Sequence, residues 1–477
     1  MGGSETEESE TNSLKKLYEE FGGSTSMHGI NRVLTTTSTW KRCVWSVLFL
    51  FGVAFAVYQF VITMEDFYSY PVTTVVTLKQ ETTAIFPGVT FCNLNKKRKS
   101  MIDPELLAAI SLLEETEEAA GDAILNGLMY NDSMVNGDKA GHQISNMLMK
   151  CIFNRRECFS DNFTKIETAS YGTCYTFEIT DPELQWATRP GPQTGLLLEI
   201  NIEHYEYLPT TSKAGVLVIV HPVDETPFPE DGGILAHPGV ITSIGVKQEL
   251  TQRLPSPYSN CISADVQSSS LRSLFANKRY MQNACMKSCF QLAVHEKCKC
   301  CNVDLPCDYY KILNVDRTTS ESNHSLPICS TPAELLCESQ VENLFLKSEL
   351  DCDELCPPVC DRTTFDTVVS AGLWPSDLSS DSVETITNSS VVGNMTFTDY
   401  ISFERFIRSN FLKIDVFLDT LEFKEFTTQA KYDWNLLLGT VSGLLGLWLG
   451  FSLLTAMEIV EVLIDTVVFC TRRRKKK

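Results

Sequence analysis

The residues best suited to do chemistry lie in the last hydrophobic stretch of the chain. Three carboxylates, Glu458, Glu461 and Asp465, stand inside or beside it. Carboxylates within a membrane usually face water or a partner, and a glycine face lets helices approach closely in lipid. A regular helix would carry four glycines on one face, with Glu461 on the same face: Gly439, Gly443, Gly446 and Gly450. The pattern therefore favours several copies of this segment around a wet path that attracts cations.

Two alternatives remain open for this segment. Glu458 and Glu461 could instead lie past the hydrophobic core and pair with the terminal cations at 472–477. Ser452 does not share the glycine face of a regular helix. A break at Gly450–Phe451–Ser452 would let backbone carbonyls and the hydroxyl line the path, which a membrane permits only beside a cavity.

Hydropathy predicts how the rest of the chain is arranged relative to the membrane. The charge-free stretch 44–63 matches the ~20 residues that cross a bilayer, and a second such run follows at 434–457. Basic residues flank the inner ends of both, so the positive-inside rule places both termini in the cytoplasm. The predicted organisation is a cytoplasmic segment (1–42), a first span (43–63), an exterior domain (64–433), a pore helix (434–463) and a cytoplasmic basic tail (464–477).

Cysteines and sequons agree with that placement. Sixteen of the 18 cysteines lie in the exterior segment, an even number that allows eight disulfides in an oxidising compartment. The segment also holds 51 of the 60 acidic residues but only 29 of the 40 basic ones, a charge that attracts cations. Five N-x-S/T sequons, all in this segment, are the predicted glycosylation sites: Asn131, Asn162, Asn323, Asn388 and Asn394.

Local patterns predict a mixed α+β exterior. β-branched, alternating runs indicate strands after the first span, in the middle of the exterior and just before the second span. Helices are expected from Asp103 to about 128, over 281–294, and from a capping box at Thr331 to about 347. The stretch 379–396 reads as an exposed loop. We expect neither cofactor nor metal, since the cysteine spacing does not resemble a zinc finger.

The combined motifs resemble the degenerin/epithelial sodium channel superfamily. They are "STSMHGINRV" before the first span, "FPGVTFCNLN" after it, "EYLP", "CDRTTFDTVVS" and "WPS" in the exterior, and "LLGTVSGLLGLWLGFSLLTAMEIVE" at the second span. The match runs from about His28 to Asp465. It implies a multi-pass plasma-membrane channel, a homotrimer with a disulfide-rich ectodomain shaped like a clenched hand, which passes sodium and is blocked by amiloride.

The same resemblance implies roles for individual residues. Gly450, Phe451 and Ser452 take the place of the selectivity filter. Gly439 takes the place of a gating position. The helical spacing discussed above predicts that Gly443, Gly446, Glu458 and Glu461 line the pore beside it. His28 and Gly29 correspond to the gating motif, and Tyr70 and Tyr258 to an aromatic contact that couples ectodomain to membrane helix.

The stimulus is open between a peptide and protons. Acid-sensing members carry a histidine pair after the first span, where this chain has Tyr70-Pro71-Val72-Thr73, and histidine is the side chain that titrates near neutral pH. The stretches "MLMKCIFNRRECFSDNFT" and "RLPSPYSNC" look closest to the FMRFamide-gated sodium channels of invertebrates. The acidic exterior suits a short cationic peptide.

Three other classes of protein share the two spans and the disulfides. They are a two-span cell-surface receptor without a pore, an ATP-gated channel and an ecto-nucleotidase. The sequence has no G-x-S-x-G, no H-E-x-x-H and no phosphate-binding glycine loop, so an enzyme is not expected. Nothing indicates a nucleic-acid partner.

Overall fold

The computed structural model describes residues 21–23, 25–105, 107–108, 140–168, 170–179, 186–264, 274–275, 279–307, 327–376 and 400–476. The chain divides into two compact units, Met1–Thr73 with Gln429–Lys477, and Thr74–Thr428. The helices are α1 Ile30–Thr35, α2 Thr39–Tyr68, α3 Ile144–Met147, α4 Gln282–Cys298, α5 Pro332–Leu346, α6 Cys352–Leu355, α7 Tyr400–Asn410, α8 Trp434–Leu449 and α9 Leu453–Lys476.

The strands belong mainly to the second unit and confirm its mixed α+β class. They are β1 Val72–Gln80, β2 Ala84–Ile85, β3 Gly88–Asn93, β4 Leu148–Phe153, β5 Arg156–Glu157, β6 Phe163–Thr168, β7 Gly172–Phe177, β8 Trp186–Ala187, β9 Leu196–Asn201, β10 Val216–His221, β11 Ile234–Ala236, β12 Val240–Gln252, β13 Asp361–Leu373, β14 Phe411–Leu418 and β15 Glu422–Ala430.

Helix α2 is the one described helix that by itself is long and apolar enough to cross a membrane. It extends the predicted first span at both ends. Two residues end this helix at its C-terminus. Tyr70 adopts a left-handed φ of 51°, and Pro71 cannot continue a helix. Helix α8 and the part of α9 up to Val468 pass the same test together, but they are bent by 72° at a short break. The helix expected over 434–463 is therefore interrupted.

Two larger sheets build the second unit. In the first, strand order is β1-β15-β12-β14-β9-β4-β5, and β13 pairs with β12 on its other side. The second has the order β11-β10-β3-β7-β6, and β2 pairs with β8 separately. All six residues of β3 are buried, as expected of a strand covered on both faces. The core between these strands is apolar and includes Phe91, Leu198, Ile200 and Val416, each fully buried.

Seven disulfides reinforce this unit: Cys92–Cys174, Cys151–Cys158, Cys261–Cys360, Cys285–Cys356, Cys289–Cys352, Cys298–Cys337 and Cys300–Cys329. Three of them start from α4 and reach α5, α6 or the residue after α6. Fourteen of the 16 cysteines in this unit are thus paired, and the seven bridges do not include the other two, Cys301 and Cys307.

Several local predictions can be checked directly. The capping box is present, since Glu334 N donates to Thr331 Oγ1 and the Glu334 carboxylate accepts from Thr331 N. Asp103 Oδ1 accepts from Glu105 N at 2.8 Å, as an N-cap should. The remainder of the helix expected to 128, and the loop expected at 379–396, lie outside the described residues.

Candidate functional site

The break between α8 and α9 follows from three consecutive residues. Gly450 ends α8 with a φ of 66°, a left-handed conformation that glycine adopts without strain. Ser452 starts α9, because its hydroxyl accepts from Thr455 N at 3.3 Å while Thr455 Oγ1 accepts from Ser452 N at 3.1 Å. Phe451 lies between them. The sequence Gly-Phe-Ser is therefore a helix stop followed directly by a helix start.

The segment containing His28 and Gly29 lies against this break. His28 N donates to Leu449 O at 2.8 Å and so satisfies a carbonyl that the end of α8 leaves open. The imidazole covers Gly450 so closely that a Cβ there would lie 2.6 Å from His28 Cδ2. Gly29 has a φ of 86° and precedes α1. Two motifs separated by some 420 residues in the chain thus form one local structure.

Hydroxyl groups extend this contact along the first turns of α9. Ser26 Oγ lies 2.6 Å from Thr455 Oγ1, and Thr455 is fully buried. Thr25 Oγ1 donates to Glu458 Oε2 at 3.0 Å, and Ser26 N reaches the same oxygen at 3.3 Å. We name Thr25–Gly29 the N-terminal strap. Sequence reasoning identified its histidine and glycine but missed Thr25, Ser26 and Thr455, for which spacing offers no signal.

The carboxylates of the last segment have different surroundings. Glu458 is half-buried beneath the strap, whereas Glu461 and Asp465 are exposed in the single chain. The projection that placed Glu461 on the glycine face assumed a continuous helix, and the 72° bend ends that face at Gly450. The alternative, pairing with the terminal cations, concerns side chains outside the described ones.

The glycines also differ from one another. A Cβ at Gly439 or Gly443 would meet no atom within 4 Å, so the chain itself leaves that side of α8 uncovered. Gly446 lies nearer the break, where a Cβ would be 3.8 Å from Phe451 O. The outer glycines are therefore available to face a partner or a water-filled space, while Gly450 is packed.

Helices α2 and α8 contact each other through aromatic and polar side chains. Phe55 and Trp448 have ring centroids 4.6 Å apart, and Trp448 Nε1 donates to Gln59 Oε1 at 2.8 Å. Gly52 allows the close approach, since a Cβ there would lie 3.2 Å from Trp448 O. This contact holds the half of α8 that leads into the break.

A polar cluster joins the outer ends of the same two helices. Asp66 Oδ2 accepts from Lys431 Nζ at 2.6 Å and from Tyr432 Oη at 2.7 Å. Asp433 then caps α8 by accepting from Leu436 N at 2.6 Å. A displacement of the chain before α8 would therefore be transmitted to α2.

The tyrosines predicted to couple ectodomain and helix fall in different units. Tyr70 follows α2 in the first unit, and its left-handed φ turns the chain into β1. Tyr258 lies in the second unit, in a turn closed by a hydrogen bond from its N–H to Pro255 O. Their coupling role stays a prediction.

One predicted glycosylation site can be placed. Asn162 is half-exposed in a short 3₁₀ turn, and its Oδ1 accepts from Phe159 N at 3.0 Å. The other four, Asn131, Asn323, Asn388 and Asn394, lie outside the described residues.

Several acidic residues of the second unit, which could attract a cationic ligand if the unit is extracellular as predicted, already have partners. Asp224 pairs with Arg279 at 2.9 Å, and Asp231 pairs with Lys287 at 3.0 Å. Asn283 donates a further hydrogen bond to Asp231 at 3.1 Å. All three partners stand at or near the start of α4, so these acids fasten the loop after β10 to that helix.

Two buried histidines, His142 and His221, have defined surroundings. His142 Nδ1 lies 2.7 Å from Glu203 Oε2, and its Nε2 lies 2.9 Å from Asn95 Nδ2. The Asn95 amide is oriented by Leu208 N, which donates to its Oδ1, so the imidazole Nε2 must act as an acceptor. Elsewhere, burial lowers the pKa of His221.

One buried carboxyl shows the opposite behaviour. Asp415 on β14 is 5% exposed, and its Oδ1 has no hydrogen-bond partner. This burial raises the pKa of Asp415 to about 6, against an ordinary 3.8, although nearby Lys413 lowers it in part. Lys413 is itself paired with Glu199 at 3.1 Å. Sequence reasoning missed Asp415, because nothing in its spacing distinguishes it from other acidic residues on strands.

Comparison with known proteins bears on most of the chain. The family model described as amiloride-sensitive sodium channel matches residues 21–462. The alpha subunit of the epithelial sodium channel of Neoceratodus forsteri is 25% identical, over 98% of this chain and 82% of its own length. Acid-sensing ion channel 1C of Danio rerio is 27% identical, over 96% and 85%.

A further relative is the FMRFamide-activated amiloride-sensitive sodium channel of Cornu aspersum, 26% identical over 96% of this chain and 84% of its own. Among solved structures, a proton-activated chloride channel aligns over 88% of this chain and 96% of its own, at 6% identity and a TM-score of 0.30.

Proposed function

Because the chain belongs to the amiloride-sensitive sodium channel family, we propose that three copies form a plasma-membrane channel that an extracellular FMRFamide-like peptide opens and amiloride blocks. The supporting observation is the helix break at Gly450–Phe451–Ser452, which lies within an otherwise apolar segment and is covered by the strap. An irregular backbone at membrane depth is tolerated where it lines a cavity. The break is therefore the element on which the ion pathway is built.

Ion selection is assigned to this break. A helix that ends inside a membrane leaves carbonyl groups that need partners. His28 N satisfies Leu449 O, and we infer that the carbonyls and the hydroxyl from Gly450 to Ser452 face the path. Oxygen ligands replace part of the hydration shell of sodium there. Gly439 and Gly443, uncovered in the single chain, face the axis nearer the exterior.

The strap is assigned to gating. It holds the break and α9 by hydrogen bonds that each contribute about 1 kcal/mol net, more where Glu458 is the acceptor. Such contacts can be exchanged when the gate moves. Opening rearranges the strap against α9 and changes the position of Gly450. His28 and Gly29 therefore act by positioning the break, while Glu461 attracts cations below it.

A peptide agonist is supported by three observations. A relative named for FMRFamide activation aligns over nearly the whole chain. The exterior carries an excess of 22 acidic over basic residues, which favours a cationic ligand. Burial lowers the pKa of His221, which disfavours its protonated form.

The agonist is tested by expressing this chain alone in cells that lack related channels. FMRFamide and shorter RF-amides are applied at constant pH 7.4, and acid steps are applied without peptide. We expect inward sodium current to peptide, which amiloride blocks. Current to acid alone, with none to peptide, would replace the peptide assignment by proton gating while leaving the channel assignment intact.

Proton gating is the second candidate, and Asp415 favours it. A carboxyl with a pKa of about 6 changes charge in the range of mild extracellular acidification. If acid opens the channel, Asp415→Asn should reduce the acid-evoked current. If a peptide opens it, the same variant should keep the peptide response.

A receptor without a pore is the candidate from another class. It predicts surface expression with no current to any agonist and a monomer or dimer on cross-linking. The channel proposal instead predicts a cross-linked trimer and epitope tags at both termini that antibodies reach only after permeabilisation.

A further inference from the structure

Two exterior cysteines remain outside the seven disulfides. Cys301 is 2% exposed and Cys307 is half-buried. Their side chains are in hydrogen-bonding contact with each other. They enclose the short loop 302–306, and the first of them directly follows the bridged Cys300. Neither thiol therefore needs a long chain movement to reach the other.

The loop is folded back by one buried amide. Gln291 on α4 is 2% exposed, and its Oε1 accepts from Asn302 N at 2.9 Å. Its Nε2 reaches Asn302 O at 3.2 Å, Leu305 O and Pro306 O at 3.3 Å, and Cys307 Sγ at 3.8 Å. Because both ends of the loop contact the same amide, Cys307 is held close to Cys301.

The first cysteine is also fixed by backbone pairing. Cys301 N donates to Pro327 O at 3.0 Å, and Cys329 N donates to Cys301 O at 2.9 Å. Cys329 is itself bridged to Cys300. The Cys301 backbone is thus held on one side by a disulfide-linked segment and on the other by the Gln291 loop.

We propose that Cys301 and Cys307 are joined in an eighth disulfide that closes the loop 302–306 over α4. A bridge of similar span exists in the same unit, since Cys151 and Cys158 are seven residues apart. The described residues offer no group of three or more metal-ligating side chains that includes this pair, so a disulfide suits it better than a metal.

The reaction is thiol–disulfide exchange with a disulfide-bearing oxidant of the secretory compartment. The more accessible Cys307 attacks the oxidant, forms a mixed disulfide and releases one oxidant thiol. Cys301 then attacks the Cys307 sulfur, the Cys301–Cys307 bond forms, and the second oxidant thiol leaves. Two cysteine thiols are oxidised and one oxidant disulfide is reduced to two thiols.

The test counts free thiols in the full-length chain taken from the cell surface. The protein is denatured without reductant in excess maleimide, digested, and analysed by mass spectrometry at positions 301 and 307. Wild type, Cys307→Ser and the double variant C301S/C307S are compared. A bridge predicts zero, one and zero labelled thiols at these positions, whereas free thiols predict two, one and zero.

The expected result is an increase of about tenfold or more in Cys301 labelling when Cys307 alone is replaced, together with a wild-type peptide that links the two positions. Label on both cysteines of the wild type would overturn the proposal, as would a peptide linking either one to another cysteine. If the single variant fails to reach the surface, the wild-type peptide map decides alone. The result is independent of whether the chain conducts ions.

Discussion

The first unit, which contains the candidate membrane helices, and the second unit, which is predicted to be extracellular (the exterior unit), are stabilised in different ways. All seven disulfides found among the described residues lie in the exterior unit, where helix α4 alone takes part in three. Near the break, the described contacts between the strap and α8 or α9 are hydrogen bonds, from Thr25, Ser26 and His28. The covalent bonds are concentrated away from the element assigned to gating.

This difference suggests a division of labour. A disulfide typically contributes about 2–4 kcal/mol by restricting the unfolded chain, whereas one hydrogen bond contributes about 1 kcal/mol and can be exchanged for another. Elements that move during function are drawn from the weakly stabilised parts of a protein. In the proposed mechanism, the exterior unit keeps its shape and the break changes its conformation.

The largest expected effect comes from removing a bridge on α4. In the double variant C285S/C356S, the loop of 71 residues between these positions is no longer closed. We expect a loss of about 2–5 kcal/mol of stability and little mature protein at the surface at 37 °C. Surface biotinylation measures this, with C43S as control, since Cys43 is an exposed thiol outside that unit. Normal surface levels of C285S/C356S would contradict the rigid role of the exterior.

A second variant changes the helix break itself. Gly450→Ala combines a left-handed φ of 66° with a Cβ placed 2.6 Å from His28 Cδ2, so the strap must shift. We expect agonist-evoked current, normalised to surface protein, to fall at least about tenfold, equivalent to ~1.4 kcal/mol.

The matched control is Gly191→Ala in the exterior unit. Gly191 has a φ of 99°, but its Cβ would meet nothing within 4 Å. Gly191→Ala therefore introduces an alanine at a positive φ but no steric clash. We expect its agonist-evoked current to equal that of the wild type. Equal losses in both variants would show that strain, and not the contact with His28, is responsible.

A third test isolates the strap hydrogen bond. Thr25→Val keeps the shape of the side chain but removes the donor to Glu458, and Glu458→Ala removes the acceptor. Each should change the open probability several-fold, and the double variant should add little to either. A double-mutant cycle on open probability gives the coupling, expected to be about 1 kcal/mol. Additive effects would mean that the two residues act separately.

The smallest expected effect concerns pH and the exterior core. The pKa of Asp415 is higher folded, about 6, than its ordinary 3.8. The folded state therefore binds the proton more tightly, and the stability contribution of Asp415 falls as pH rises from about 4 to about 6. Asp415→Asn should raise Tm by a few °C at pH 7.5 and leave it nearly unchanged at pH 4. A lower Tm for the variant at pH 7.5 would contradict the burial argument.

Sequence and structure agree where the signal is local. The apolar run predicted α2, and the capping box predicted the start of α5. The break falls at the Gly-Phe-Ser triplet because glycine favours the end of a helix and serine favours the start of one. The strap could not be foreseen, since its contact with Thr455 joins residues more than 400 positions apart. Disulfide partners were likewise open, because an even cysteine count does not specify pairing.

The central claim is that ions pass the break at Gly450–Phe451–Ser452, and reversal potentials test it most directly. Currents from the wild-type chain and from Ser452→Ala are recorded while external sodium is replaced by potassium. The account predicts a wild-type preference for sodium of at least about tenfold, or ~1.4 kcal/mol of discrimination, and a clear reduction of that preference in the variant. A reversal potential that stays the same in Ser452→Ala, with current of normal size, would place ion selection elsewhere.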